Sequence, residues 1–170
     1  MAKATIRRLA PDDLVAYKAL RDDMLAAYPE AFTSDPAPER SAQSYRSRLG
    51  LERPEGGEFT LGAWDNSRLV GAITCERDPR AKVRHIGHIV GMMVRPETQG
   101  TGVGRALLQA CIAHARAADG LVMLTLTVTA GNGGAVHLYR SAGFVRYGSL
   151  PRAILVDGAY HAKDQMTLAL

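Results

Sequence analysis

The spacing of apolar side chains changes period several times along this chain of 170 residues. Residues 5–9 (TIRRL) read as a short strand. Over residues 10–28, Leu14, Tyr17, Leu20, Met24 and Leu25 recur at helical spacing behind Pro11, Asp12 and Asp13, the residue types that helix starts prefer. Three prolines in residues 29–38 break that helix. A second, weaker helix is expected over residues 39–49, and residues 52–57 (ERPEGG) read as a surface loop.

Residues 58–64 and 68–78 alternate as strands around the turn residues Asp65, Asn66 and Ser67, and a longer strand is expected over 83–94. Helical spacing returns over 102–118, where Val103, Ala106, Leu107, Ala110, Cys111 and His114 share one side. Residues 121–128 are apolar or hydroxylic throughout, which suits a central strand. A short helix stopping at Gly143 follows, then strands over 144–150 and about 153–168 with a turn at Asp157-Gly158. The pattern predicts one mixed α/β domain over residues 1–170. Its first four strands form an antiparallel meander beside an N-terminal helix pair, and residues 83–128 form a parallel strand–helix–strand crossover.

Composition narrows the class further. The chain is long enough for one well-buried domain, and it has no apolar run able to cross a bilayer and no signal-like N-terminus. A cytoplasmic location is expected. Cys75 and Cys111 lack any framework spacing and read as buried thiols. The five histidines show no ligand spacing, so no metal is expected. Net charge is +4, but residues 1–60 hold nine Lys/Arg against ten Asp/Glu while residues 61–170 hold twelve against seven. The cationic half carries the glycine cluster described next. Without lysine runs or basic–aromatic interleaving, it suits a small anionic ligand better than nucleic acid.

Three glycines, Gly100, Gly102 and Gly104, fall between the strand ending near Val94 and the helix that follows. A P-loop would need Lys-Ser/Thr after its last glycine, and Arg105-Ala106 stand there. A dinucleotide fingerprint would need a sixth-position glycine counted from Gly100, and that position is Arg105. A remaining use is a helix mouth whose unpaired N–H groups bind an anion, with Arg105 adding positive charge where a bare helix end prefers an acid.

Gln99-Gly100-Thr101-Gly102-Val103-Gly104 resembles the Gln/Arg-x-x-Gly-x-Gly/Ala motif of the GNAT superfamily of acyl-CoA-dependent N-acetyltransferases. Asn132, Ala135, Tyr139 and Gly143-Phe144 are similar to that superfamily's second segment. The resemblance runs from about residue 5 to the C-terminus. It implies a mixed, mostly antiparallel twisted sheet, splayed between its fourth and fifth strands and flanked by about four helices. Acetyl-CoA is the implied cofactor, bound by residues 99–105 (Gln99, Gly100, Thr101, Gly102, Val103, Gly104, Arg105), by Met92, Met93 and Val94 of the preceding strand, and by Asn132 and Tyr139. Homodimerisation is a habit of the superfamily.

The implied reaction is acetyl transfer to a primary amine of a small molecule or peptide by direct attack on the thioester. A strand N–H near Val94, freed by a bulge at Gly87 or Gly91, is the expected oxyanion donor. Tyr139 reads from position alone as core packing, and the resemblance makes it the general acid. His88, six residues before Val94 and expected on one strand face with Val90, Met92 and Val94, is the candidate base; Glu76 or a water relay is the alternative. Thr127 stands where some relatives carry a glutamate base, which leaves room for a non-catalytic acyl-CoA-binding sensor. The acceptor groove is expected between residues 22–57 and 147–161. Asp22, Asp23, Glu30, Asp35 and Glu39 there serve either a cationic amine or solvent, and Tyr28, Phe32, Tyr147 and Tyr160 either line the groove or join the core.

Overall fold

The computed structural model describes residues 4–52 and 57–170. Seven strands form one sheet in the order β1-β2-β3-β4-β5-β7-β6. They are β1 (Thr5–Arg8), β2 (Phe59–Asp65), β3 (Arg68–Arg77), β4 (Ile86–Val94), β5 (Met123–Thr129), β6 (Val145–Val156) and β7 (Ala159–Ala169). All neighbours are antiparallel except β4 and β5. Three α-helices pack on the sheet among the described residues: α1 (Leu14–Ala27), α2 (Val103–Ala117) and α3 (Gly133–Ser141).

Two buried clusters follow from this layering. One lies under α2 and α3 and includes Ile73, Ile89, Leu107, Cys111, Leu124, Tyr139 and Met166. The other lies under α1 and includes Leu14, Tyr17, Leu20, Met24, Tyr45, Ala72 and Met93. Cys75 and Cys111 are free and buried in the first, and burial pushes the Cys75 thiol up to about 12.

The meander and the parallel crossover stand as expected, and three details differ. The helix expected over 39–49 is a 3-10 turn at Ala42–Tyr45, so three α-helices replace the expected four. Only Tyr45 and Leu49 of that stretch are buried hydrophobics, and the Ser44 hydroxyl bonds the Ser41 carbonyl, a local bond that competes with helix. The expected strand over 83–94 begins at Ile86, because the Arg80 carbonyl captures the amides of Val83 and Arg84 in a turn. The expected break near residue 151 is a slip inside the continuous strand β6, between Leu150 and Ile154, where Pro151 needs no ladder bond on an edge strand. Of the loop expected over 52–57, residues 53–56 lie outside the described residues.

Candidate active site

The sheet parts where β4 meets β5. The pair is in register only at Ile86–Met123, Gly87–Leu124 and His88–Thr125. Gly87 permits that close start, since a Cβ there would stand 2.8 Å from Leu124 and 2.9 Å from Cys75. Beyond His88 no pairing continues, while β5 stays paired to β7 along its whole length.

A bulge lies just past the fork. Ala72 pairs with Met93 but Thr74 with Val90, so β4 carries one extra residue against β3. Gly91 has φ 58°, a left-handed conformation that a side chain would strain. The extra residue reverses which face each side chain meets. Before it, Gly87 and Ile89 face α2; after it, Met92 and Val94 do, while Met93 turns to the α1 cluster. The expectation that His88 shares a face with Met92 and Val94 is therefore corrected. His88 shares the α1 face with Val90 and Met93.

The bulge also sets where backbone groups point. The Arg95 amide donates to the Val70 carbonyl, and antiparallel bonding alternates, so Met93 bonds towards β3 while Met92 and Val94 turn their N–H and C=O towards the open seam. Consistent with this, the Val94 carbonyl accepts from Gln99 Nε2 at 3.1 Å. Gln99 also reaches the Tyr28 hydroxyl at 3.3 Å, tying the end of β4 to α1.

The mouth of α2 opens beside this edge. Gly100 and Gly102 have φ 76° and 91°, and a Cβ on either would meet nothing within 4 Å. Gly102 is the N-cap, and the first helical bond runs from the Ala106 amide to its carbonyl, so the amides of Val103, Gly104 and Arg105 precede the ladder. Thr101 is fixed by its hydroxyl on the Thr98 carbonyl at 2.6 Å. Gly104 lies over Met92 and Val94, 3.5 and 3.6 Å from where its Cβ would be. Arg105 is exposed at the rim of an open groove of about 500 Å³ between α2 and α3, floored by Leu108, Ile112 and Leu138.

Asn132 caps α3, its Oδ1 accepting the Ala135 amide at 3.1 Å. Tyr139 is 6 % exposed and meets Phe144 edge-on with ring centroids 5.9 Å apart. Burial holds its phenol above the ordinary value.

On the opposite face, His88 Nδ1 lies 2.6 Å from the Thr125 hydroxyl, and Glu76 is its cross-strand partner on β3. Both open onto a cleft of about 250 Å³ that Arg48 also lines. Thr127 is exposed on this face. The larger hollow lies away from the fork; the smaller one begins at it.

The sequence profile described as Acetyltransferase (GNAT) family matches residues 17–144, three quarters of the chain. The chain belongs to the GNAT acetyltransferase family. A mycothiol acetyltransferase of Kocuria rhizophila is 35% identical over 123 residues, covering 59% of this chain and 40% of that protein. Another, of Propionibacterium freudenreichii, is 33% identical over 137 residues, covering 78% and 40%. The chain spans about two fifths of the length of these curated relatives. Among solved structures, an acetyltransferase of GNAT family from Streptococcus pneumoniae superposes with a TM-score of 0.89 at 27% identity, covering 99% of this chain and all of that one.

For this GNAT chain the structure brings the residues named from sequence into two groups. Val103 and Gly104 lie against Met92 and Val94 on the α2 face, with Gly100, Thr101, Gly102 and Arg105 flanking them in sequence, while His88 and Glu76 meet on the other. Of the aromatic residues expected at the acceptor groove, Tyr28 and Phe32 pack on the α1 cluster, while Tyr147 and Tyr160 are exposed. Sequence reasoning missed Tyr17 as a site residue; its hydroxyl lies 3.8 Å from the place of a Gly91 Cβ. It also missed Arg21, one turn further along α1 and 4 % exposed. A base interrupting the stripe Leu14, Tyr17, Leu20 and Met24 was the signal for it.

Proposed function

We propose that this chain transfers the acetyl group of acetyl-CoA to a primary amine of a small molecule or peptide. The observation that carries the reading is the open β4–β5 seam beginning beside the glycine mouth of α2. A helix mouth without side chains suits a diphosphate, and a strand edge with free polar groups suits an amide-bearing arm. Bound there, acetyl-CoA supplies an acyl thioester.

The chain's own groups take the remaining roles. The amides of Val103, Gly104 and Arg105 hold the anion, helped by the Arg105 side chain, and Asn132 keeps α3 in place beside it. Met92 and Val94 offer the edge to the arm. The Val94 amide, aimed into the seam, donates to the carbonyl oxygen as negative charge gathers on it. Tyr139 delivers a proton to the departing sulfur. His88 takes the proton that an ammonium must lose before its nitrogen can attack. The Thr125 hydroxyl fixes the imidazole, and Glu76 stands across from it.

The test is release of free thiol from acetyl-CoA over a panel of amines, with CoA binding followed by calorimetry. Turnover that depends on one amine and falls at least about tenfold in His88→Gln supports the assignment. Thr127, a hydroxyl where a carboxylate base stands in some relatives, favours a second reading, an acyl-CoA sensor. That reading predicts tight CoA binding and no turnover on any amine. The edge strand β6, with Tyr147, Leu150 and Leu155 exposed, supports a homodimer, which sedimentation of the purified chain tests.

A further inference from the structure

One strong base interrupts the apolar stripe that α1 lays on the sheet. Arg21 is 4 % exposed, its Nε is buried with no hydrogen-bond partner, and among the described residues it makes no ion pair. A guanidinium cannot lose its proton to relieve burial as a lysine can. A buried guanidinium whose neighbours are phenols and rings rather than a carboxylate is costly, which suits a group that binds an anion.

The surroundings of Arg21 are aromatic and cationic. Its guanidinium stands 5.7 Å from the centroid of Tyr45, Arg40 stands 5.4 Å from the same ring, and Tyr17 meets that ring edge-on at 6.0 Å. Burial raises the Tyr17 phenol, and the charges of Arg21 and Arg48 and the hydrogen-bonding approach of the Arg21 guanidinium oppose that rise. Arg48 has one carboxylate, Glu76, at a long 3.7 Å. The same Tyr17 hydroxyl faces the bulge at Gly91. Guanidinium groups thus gather around Tyr17 and Tyr45, while the adjoining cleft at His88 also carries Glu58, Glu76 and Asp78. Two of the acids that could serve a cationic acceptor are engaged elsewhere: Asp22 holds Lys18 and the Ala37 amide, and Asp23 holds Arg95 at 2.9 Å.

We propose that the acceptor is an amine bearing a carboxylate, such as a free α-amino acid, with that carboxylate on Arg21 and its nitrogen towards Gly91. The proposal rests on the acetyl-CoA reading above. A planar guanidinium matches a carboxylate with two parallel hydrogen bonds and fixes the direction of the attached amine. In the transfer the nitrogen lone pair forms the N–C bond as the C–S bond breaks. The ammonium proton goes to His88; as the tetrahedral adduct collapses the sulfur takes a proton from Tyr139, the nitrogen releases its second proton through water to restore that phenol, and the carboxylate is unchanged. Arg21 is a substrate-binding group that touches only the non-reacting end.

The experiment compares amino acids with their neutral carboxamides as acceptors of the full-length chain, with CoA affinity measured in parallel. The acids are expected to win in kcat/KM by about tenfold to a hundredfold, the range of a charge-assisted pair. Carboxamides have more nucleophile available at neutral pH, so chemistry alone favours the opposite order. In Arg21→Gln the KM for the acid should rise to that for the amide with the amide's kcat kept, and Arg21→Lys should recover part of the preference. Should Arg21→Gln melt early, Arg48→Gln, a more exposed change, should cut the preference several-fold. Equal use of acid and amide overturns the proposal, as does turnover of neither with CoA still bound, and both leave the CoA site standing. Absence of CoA binding removes the functional reading itself.

Discussion

The two faces of the sheet around β4 are built from different materials. On the α2 face the proposed working parts are backbone: amides at a helix mouth, a strand edge turned outward by a bulge, and glycines that keep both clear. On the α1 face they are side chains gathered from remote segments: Arg21 from α1, Tyr45 and Arg48 from residues 42–48, His88 from β4 and Thr125 from β5. A reagent that is always the same can be held by groups every residue owns. An acceptor that differs between relatives must be recognised by side chains on variable connections. Substitutions on the two faces should therefore fail in different ways.

The largest effect is expected where the α2 face uses a side chain after all. Tyr139→Phe should lower kcat about a hundredfold, the usual weight of a positioned proton donor, with CoA affinity and melting temperature nearly unchanged. Steady-state kinetics beside calorimetry checks this. A fall in kcat below about threefold would return Tyr139 to plain packing against Phe144 and leave the face purely backbone.

Next in size is Gly102→Ala. Its left-handed φ costs about 1–2 kcal/mol for a side chain, and the new Cβ points into space that is open within 4 Å, where the anion is expected. CoA affinity should drop at least about tenfold. Gly158→Ala is the matched control, with φ 80° and equally open surroundings, at the far turn between β6 and β7. It should lower the melting temperature by a few degrees, about the same strain, without touching CoA. Equal loss of affinity in both would show that strain, not the anion site, was being measured.

How much of this was legible follows the same division. The helix mouth could be read because its glycines lie within five consecutive residues and its mechanism needs no distant partner. The fork could be anticipated from Gly87 and Gly91, since strand glycines mark close approach or a bulge. The face reversal could not: one extra residue in β4 shifts every later side chain, and the residue opposite it on β3 has no signature in the local sequence. The site of Arg21 was hidden for another reason. Tyr45 and Arg48 come from a stretch read from sequence as a weak helix, where the Ser44–Ser41 bond accompanies a 3-10 turn instead.

Gly91→Ala bears on the boundary between the faces. A Cβ would have room, with Tyr17 at 3.8 Å, so the cost is the positive φ alone, about 1–2 kcal/mol. Part of that strain should be relieved by flattening the bulge, which turns the Val94 amide away from the seam. The expected result is a fall of about tenfold in kcat at nearly constant KM for the amine. Unchanged kcat with the full loss of stability would make the bulge a feature of packing only.

The smallest effect tests whether the acids of the α1 face are structural. Asp22 is bonded to Lys18 and to the Ala37 amide, which ties residues beyond the helix back onto it. Burial pushes its carboxyl up, but the Lys18 ammonium and the Ala37 amide outweigh that and leave it below the ordinary carboxylate value. Its stabilising share is present above the unfolded pKa of about 3.9 and lost as pH falls through the lower folded value. Asp22→Asn should cost about 1 kcal/mol near pH 7 and narrow to nothing under acid, which melting curves from pH 7 to pH 3 would show as converging lines. Transfer to a cationic amine should be unaffected. If it collapses instead while the melting curves stay together, the acid belongs to the acceptor, and the side-chain face is read with the wrong sign of charge.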